Sequence, residues 1–282
     1  MSTDFKPAEF VQTMINVGEA KTNTSTRDLL LRGTMAGVIL SLAVVVAITA
    51  IVQTGIGLVG ALVFPPVGFV ILSVMGVPSN RCFWSSASGV CEPSGHHLGR
   101  IFRCWGLVGL GNLIGSLIVA YLVAISLTGN FSLELNAVAK KFVAVSTARS
   151  LGFENMGMDG WITCFVRGIF CNLMVCLGVI GNMTARSVSG RVAMMWFPIF
   201  IFFALVFEHT VVNMFLFPLG MILGADFGIA TWLNFNLIPT ILGNIVGGLV
   251  MTCIPLYLTH AKTAPSINVV EEEVKTEPAI AK

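Results

Sequence analysis

Six long apolar stretches alternate with short polar ones along the chain, at Leu29 to Val52, Gly57 to Val77, Cys104 to Thr128, Trp161 to Met183, Val192 to Ala225 and Phe235 to Leu258. A bilayer core about 30 Å thick needs roughly 20 apolar residues of helix. The pattern therefore predicts an all-α polytopic membrane protein with six spans. The fifth stretch is too long for one straight span and carries Glu208, His209 and Asn213 in its middle, which predicts two half-helices around a break. Ahead of the first span, Phe10, Val11, Met14, Ile15 and Val17 stand near helical spacing with polar residues between them. Residues 1–28 are read as an interfacial helix or arm, residues 29–260 as the transmembrane domain, and residues 261–282, with a Glu271 to Glu273 run and two prolines, as a disordered tail.

Composition agrees with the pattern. Of 282 residues 55% are apolar and 11% charged, with a mean hydropathy of +0.88, against roughly 25% charged in a soluble domain. A net charge of +2, scattered along the chain, makes no phosphate-binding footprint, so nucleic acid is not expected as a partner; the lipid bilayer is. Seven cysteines, most of them in or beside apolar runs, imply no disulfide framework. The N-terminus lacks the short apolar core and cleavage site of a signal peptide. Lys6, Lys21, Arg27 and Arg32, then Arg100 and Arg103, Arg186 and Arg191, and Lys262 all fall on one side of a six-span arrangement, while Lys140, Lys141 and Arg149 in the third loop break the pattern. By the positive-inside rule both termini are expected to be cytoplasmic, in a multi-pass protein of the inner cell membrane.

The chain also repeats itself. Leu110-Gly111-Asn112-Leu113-Ile114-Gly115-Ser116-Leu117 parallels Leu242-Gly243-Asn244-Ile245-Val246-Gly247-Gly248-Leu249 at an offset of 132. Arg32-Gly33 parallels Arg167-Gly168 at an offset of 135, and Phe64, Pro65 and Phe69 parallel Phe197, Pro198 and Phe202 at an offset of 133. Each half holds three spans, an odd number, so the second half must enter the membrane upside down. Inverted repeats of this kind place a solute site near the midplane, at the ends of broken helices.

Ionisable residues deep in a span are costly and by default functional, which singles out Glu208 and His209. Asn172, mid-span in Arg167-Gly168-Ile169-Phe170-Cys171-Asn172, offers an amide to an imidazole, to a passing anion or to a neighbouring helix. Phe69 and Phe202, equivalent in the repeat, are expected to put one apolar ring on each side of the central site. No metal-ligand or cofactor motif stands at a readable spacing; a zinc-protease reading of Glu208-His209 lacks its second histidine. Nor is there the nucleophile or metal cluster that an intramembrane enzyme would need, so none is expected.

These features resemble the formate/nitrite transporter family. The resemblance rests on Phe207-Glu208-His209-Thr210-Val211-Val212-Asn213-Met214-Phe215, on the Arg167 to Asn172 segment, and on Asn236-Leu237-Ile238-Pro239 with Leu242-Gly243-Asn244-Ile245-Val246-Gly247-Gly248. It implies an aquaporin-like homopentamer, with interrupted second and fifth helices and one pore per protomer, carrying small monovalent anions such as formate, nitrite or hydrosulfide. By that resemblance the central histidine is His209, the fourth-span asparagine Asn172 and the pore-narrowing aromatic Phe202, with Glu208, Asn213 and Phe69 beside them. Lys140 or Lys141 would be the basic residue of the third loop. A neutral-solute pore for water or glycerol is the alternative the same fold could host.

One segment departs from the family. Where an acidic residue, a leucine and a threonine lead into an apolar half-helix, residues 78–98 carry charges, two prolines and five serines. This block reads as a shifted frame between two compensating changes, a hypothesis that resequencing of an active protein would settle. A metal site from Cys82, Cys91, His96 and His97 fits no common zinc spacing.

Overall fold

A computed structural model of the chain describes residues 7–74 and 98–260. The anomalous block, but for its last residue, and the tail at 261–282 lie outside the described residues, among which every regular element is helical. In chain order these are α1 (Pro7–Thr22), α2 (Thr26–Thr54), α3 (Gly57–Ser73), α4 (Leu98–Thr128), α5 (Ala137–Ala148), α6 (Leu151–Asn155), α7 (Met158–Thr184), α8 (Val188–Ala204), α9 (Thr210–Ile222) and α10 (Ile229–His260).

Helices α2, α4, α7 and α10 have 29, 31, 27 and 32 residues and are apolar enough to cross a membrane. At 1.5 Å per residue each reaches at least about 40 Å, more than a bilayer core. All four begin earlier than the apolar runs, and in α2 and α4 polar side chains hold the first turns. Ser25 caps α2 by accepting from the Asp28 N–H at 3.1 Å. In α4, Arg103 donates to Thr26 Oγ1 at 2.7 Å and Arg100 to Asn23 Oδ1 at 3.1 Å. The basic start of α4 is thereby fastened to the corner between α1 and α2.

Glycines set how closely the long helices approach. A Cβ on Gly111 of α4 would lie 2.6 Å from Leu30 O and 3.0 Å from Gly33 Cα, so α4 and α2 cross with backbones in contact. The same crossing occurs between α10 and α7, where a Cβ on Gly243 would lie 3.0 Å from Gly168 Cα. These are the positions the sequence repeat pairs. Small residues at such crossings are how membrane helices gain packing contact without a hydrophobic driving force between them.

The fifth apolar stretch is divided between α8 and α9, with the break at residues 205–209. Val211 through Gly220 of α9 are all buried. A helix apolar on every side belongs in an interior, and α9 occupies that of the bundle, with Phe215 and Phe217 fully enclosed. Helix α1 lays Val11 and Met14 against Cys176 of α7 and Cys253 of α10.

Candidate functional site

The break is built by a defined helix stop. At the end of α8 the Val206 N–H donates to Phe203 O at 3.1 Å and the Phe207 N–H to Phe202 O at 3.0 Å, the two bonds of a Schellman motif. Its left-handed position is usually glycine, yet here Val206 stands at φ +56°, a strained conformation for a β-branched residue. The end of α9 makes the same pair of bonds with Gly224 at φ +91°.

Beyond Val206 the chain runs extended to His209, at φ −110° and ψ 122°, which caps α9: its Nδ1 accepts the Val212 N–H at 3.3 Å. With Nδ1 used as acceptor, the neutral ring carries its proton on Nε2. His209 is fully buried. Its ring meets Phe69 edge to face at 5.5 Å and stacks on Phe202 at 5.8 Å. Phe69 comes from a widened turn of α3 at Pro66–Val70, where consecutive prolines remove backbone donors. Phe64 backs both rings, 6.0 Å from Phe69 and 5.8 Å from Phe202.

The expectation of one ring on each side of the histidine is corrected here. Phe69 and Phe202 lie 5.9 Å from each other, so the three ring centres form a nearly equilateral triangle and the two phenyl groups share one side of the imidazole. Their mutual packing, supported by Phe64, draws them together. A solute reaching His209 from that side must part both rings.

Glu208 points into a different environment. Its carboxylate accepts from Arg149 Nε at 2.8 Å and pairs with Arg149 Nη2 at 2.6 Å. Asn213 Nδ2 donates to it at 2.8 Å and Asn236 Nδ2 at 3.1 Å. Asn213 Nδ2 also reaches Asn236 Oδ1 at 2.7 Å and Thr240 Oγ1 at 3.3 Å. Glu208, Asn213, Asn236 and Thr240 are all without solvent exposure. These bonds hold the buried polar side chains to one another, although Asn213 Oδ1 has no partner among the described residues.

Asn244 locks the break to the long helices. Its Nδ2 donates to Glu208 O at 2.9 Å and Gly168 O at 3.0 Å, while its Oδ1 accepts from Thr210 N at 3.3 Å and Thr210 Oγ1 at 3.1 Å. Asn172 donates to Asn244 O at 2.5 Å. Its amide thus ties α7 to α10, and its buried Oδ1 has no partner among the described residues. Lys140 and Lys141 are exposed in the first turns of α5. The structure therefore joins His209, Phe69 and Phe202 in one cluster, places Glu208 and Asn213 in a second behind it, sets Asn172 at a helix crossing, and leaves the two lysines at the surface.

Sequence reasoning missed Arg149, Asn236, Thr240 and the clamping role of Asn244. A signal for three of them was present, since 236, 240 and 244 fall four apart on one face of α10. Arg149 offered none, because its partner lies 59 residues away in sequence.

Membrane-length helices crossing through glycines around a buried, interrupted helix, with a single imidazole at the interruption, define a polytopic membrane transport protein. The chain matches the formate/nitrite transporter family model over residues 8–258. It belongs to that family, which is one of transport channels and not of enzymes. It is 32% identical over 209 residues to a probable formate transporter of Methanothermobacter thermautotrophicus, covering 70% of this chain and 73% of that protein. With the formate channel FocA of Escherichia coli it shares 31% identity over 242 residues, 76% of this chain and 79% of FocA. Among solved structures it resembles a pentameric formate channel with formate bound, at a TM-score of 0.67 and 25% identity, covering 83% of this chain and 97% of that one. An FNT family ion channel superposes at a TM-score of 0.70 and 19% identity, covering 89% of this chain and 98% of the other.

Proposed function

We propose that the chain is a homopentameric channel of the inner membrane for small monovalent anions, formate foremost and nitrite or hydrosulfide by the same chemistry, and that His209 supplies a proton at its centre. The observation that carries this reading is the position of His209 at the N-terminal end of the buried helix α9, packed under Phe69 and Phe202. The amide dipoles of α9 favour negative charge at that end. Glu208, the adjacent residue, would repel an anion if bare, but Arg149 neutralises it.

Lys140 and Lys141 draw the anion to the mouth. An ion cannot pass two touching phenyl rings cheaply, because the rings replace none of its hydration. A proton taken up by the imidazole from the aqueous side and passed on to the anion converts formate to formic acid and returns the ring to its neutral form; the acid sheds far less hydration than the ion on entering the apolar passage. Asn172 and Asn244 serve the path by holding α7 and α10 together at the break. The end of the bundle that carries Arg27, Arg32, Arg100 and Arg103 is cytoplasmic, with residues 1–28 and 261–282 on that side.

Vesicles containing the purified protein test this directly. Labelled formate should enter faster than through empty vesicles, and osmotic swelling in glycerol should match the empty control. Glycerol or water flux without formate flux would instead make the chain a neutral-solute pore.

A further inference from the structure

The end of the bundle where α2 and α4 start carries charge of one sign. Those two helices hold Arg27, Arg32, Arg100 and Arg103 against a single acid, Asp28, and none of the five forms an ion pair with a described residue. Arg103 and Arg100 are nevertheless held in place. Arg103 Nη2 donates to Thr26 Oγ1 at 2.7 Å and both of its Nη atoms reach Thr24 O at 3.4 Å, while Arg100 Nη1 donates to Asn23 Oδ1 at 3.1 Å. Every one of these acceptors is neutral, so both guanidinium charges stay uncompensated, with N–H groups left over for a further acceptor. Arg27, next to Thr26, is exposed and makes no hydrogen bond with a described residue.

Depth in the bilayer decides what that acceptor is. At 1.5 Å per residue α2 and α4 are about 43 and 46 Å long, roughly 15 Å more than a hydrocarbon core. Their first turns therefore stand among lipid headgroups, and the arginine side chains lean that way because side chains tilt toward a helix start. Further along, the outward faces turn apolar: Leu31 and Met35, one and two turns beyond Arg27, and Leu110, two turns beyond Arg103, are exposed. We infer that Arg27, Arg100 and Arg103 bind the phosphate of an anionic phospholipid whose acyl chains lie along Leu31, Met35 and Leu110. Guanidinium groups pair with phosphate through parallel N–H donors, and clustered arginines at a membrane edge attract acidic lipids. The headgroup must be net negative, since a zwitterionic one would set its own ammonium among four arginines, where like charges repel. A free phosphate ion would meet the same arginines but gain nothing from the apolar faces. A lipid so bound spans α2 and α4 and fastens the two helices that cross at Gly33 and Gly111.

The test is independent of what the channel conducts. The purified full chain in mixed micelles of detergent and phosphatidylcholine is titrated with phosphatidylglycerol while the unfolding midpoint is followed, and the lipid retained after gel filtration is counted by native mass spectrometry. A ligand of the folded state raises the midpoint with its concentration. For wild type, and for Lys140→Gln/Lys141→Gln in the third loop, the midpoint should rise and level off, with one phosphatidylglycerol retained per chain. Arg100→Gln/Arg103→Gln should lose both the rise and the retained lipid. Arg27→Gln, which breaks no hydrogen bond to a described residue, should shift half-saturation several-fold toward higher lipid. Sodium phosphate, or more phosphatidylcholine, should leave the wild-type midpoint where it is. An equal rise with phosphate or phosphatidylcholine, an unchanged titration in Arg27→Gln and the double arginine variant, or no rise in wild type overturns the inference.

Discussion

Replacing Arg149 with methionine isolates the buried ion pair behind His209. The variant keeps side-chain length and apolar volume but removes two of the four hydrogen bonds made to the Glu208 carboxylate, those at 2.8 and 2.6 Å. Glu208 has no solvent exposure and the Arg149 side chain only 13%, so water cannot take over. Removing one partner of a buried pair typically costs about 3–5 kcal/mol, because the other charge stays behind uncompensated. At roughly 2–4 °C per kcal/mol for a chain of this size, the unfolding midpoint in detergent, followed by intrinsic fluorescence, should fall by about 6 to 20 °C. The double variant Arg149→Met/Glu208→Met removes both charges. It strands the Asn213 and Asn236 amides, which still bond each other, and the Phe207 carbonyl, which loses a 3.4 Å bond from Arg149 Nη2. It should therefore be less destabilised than the sum of the two single variants by at least about 2 kcal/mol. Single-variant losses that add to within about 0.5 kcal/mol of the double-variant loss would refute the claim that the two residues act as a pair.

Three further outcomes follow from particular contacts. Val206→Gly relieves a left-handed residue worth about 1–2 kcal/mol at some cost in chain entropy; it should raise thermal stability by up to about 1 kcal/mol, whereas Gly224→Val should lower it, and a fall in both would contradict the helix-stop geometry. Gly243→Ala forces a methyl group against Gly168 Cα and should cost about 1–3 kcal/mol together with formate flux, while Gly106→Ala, which meets nothing within 4 Å, should leave both intact. Lys140→Gln/Lys141→Gln should raise the half-saturating formate concentration at low salt only. Exposed charges are screened at physiological ionic strength, so an equal change at both salt concentrations would mean that the lysines do more than attract.

Much of this was legible in the sequence because it rests on local pattern. Apolar run length marked the segments that form the helices, and the Glu208-His209-Asn213 interruption marked the place where α8 stops and α9 starts. Residues whose role depends on a distant partner were not legible. Glu208 and His209 are neighbours in sequence, yet one is bound into a polar network with Arg149 and the other into an aromatic cluster, a division set by which way each side chain leaves an extended backbone. The repeat paired Phe69 with Phe202 but said nothing of the contact between them, which α3 and α8 create by packing through Phe64 and Phe203. Helix starts were misjudged where arginines bond to an adjacent corner, since charge ends an apolar run without ending a helix.

The central claim is that one imidazole, held at a helix break, hands a proton to the passing anion. The most direct measurement is initial formate uptake into vesicles as a function of external pH between about 5 and 8, for wild type and His209→Phe. Uptake through wild type should rise as the pH falls, and the variant should lose that dependence or the uptake itself. An identical pH profile in the two proteins would remove His209 from the mechanism.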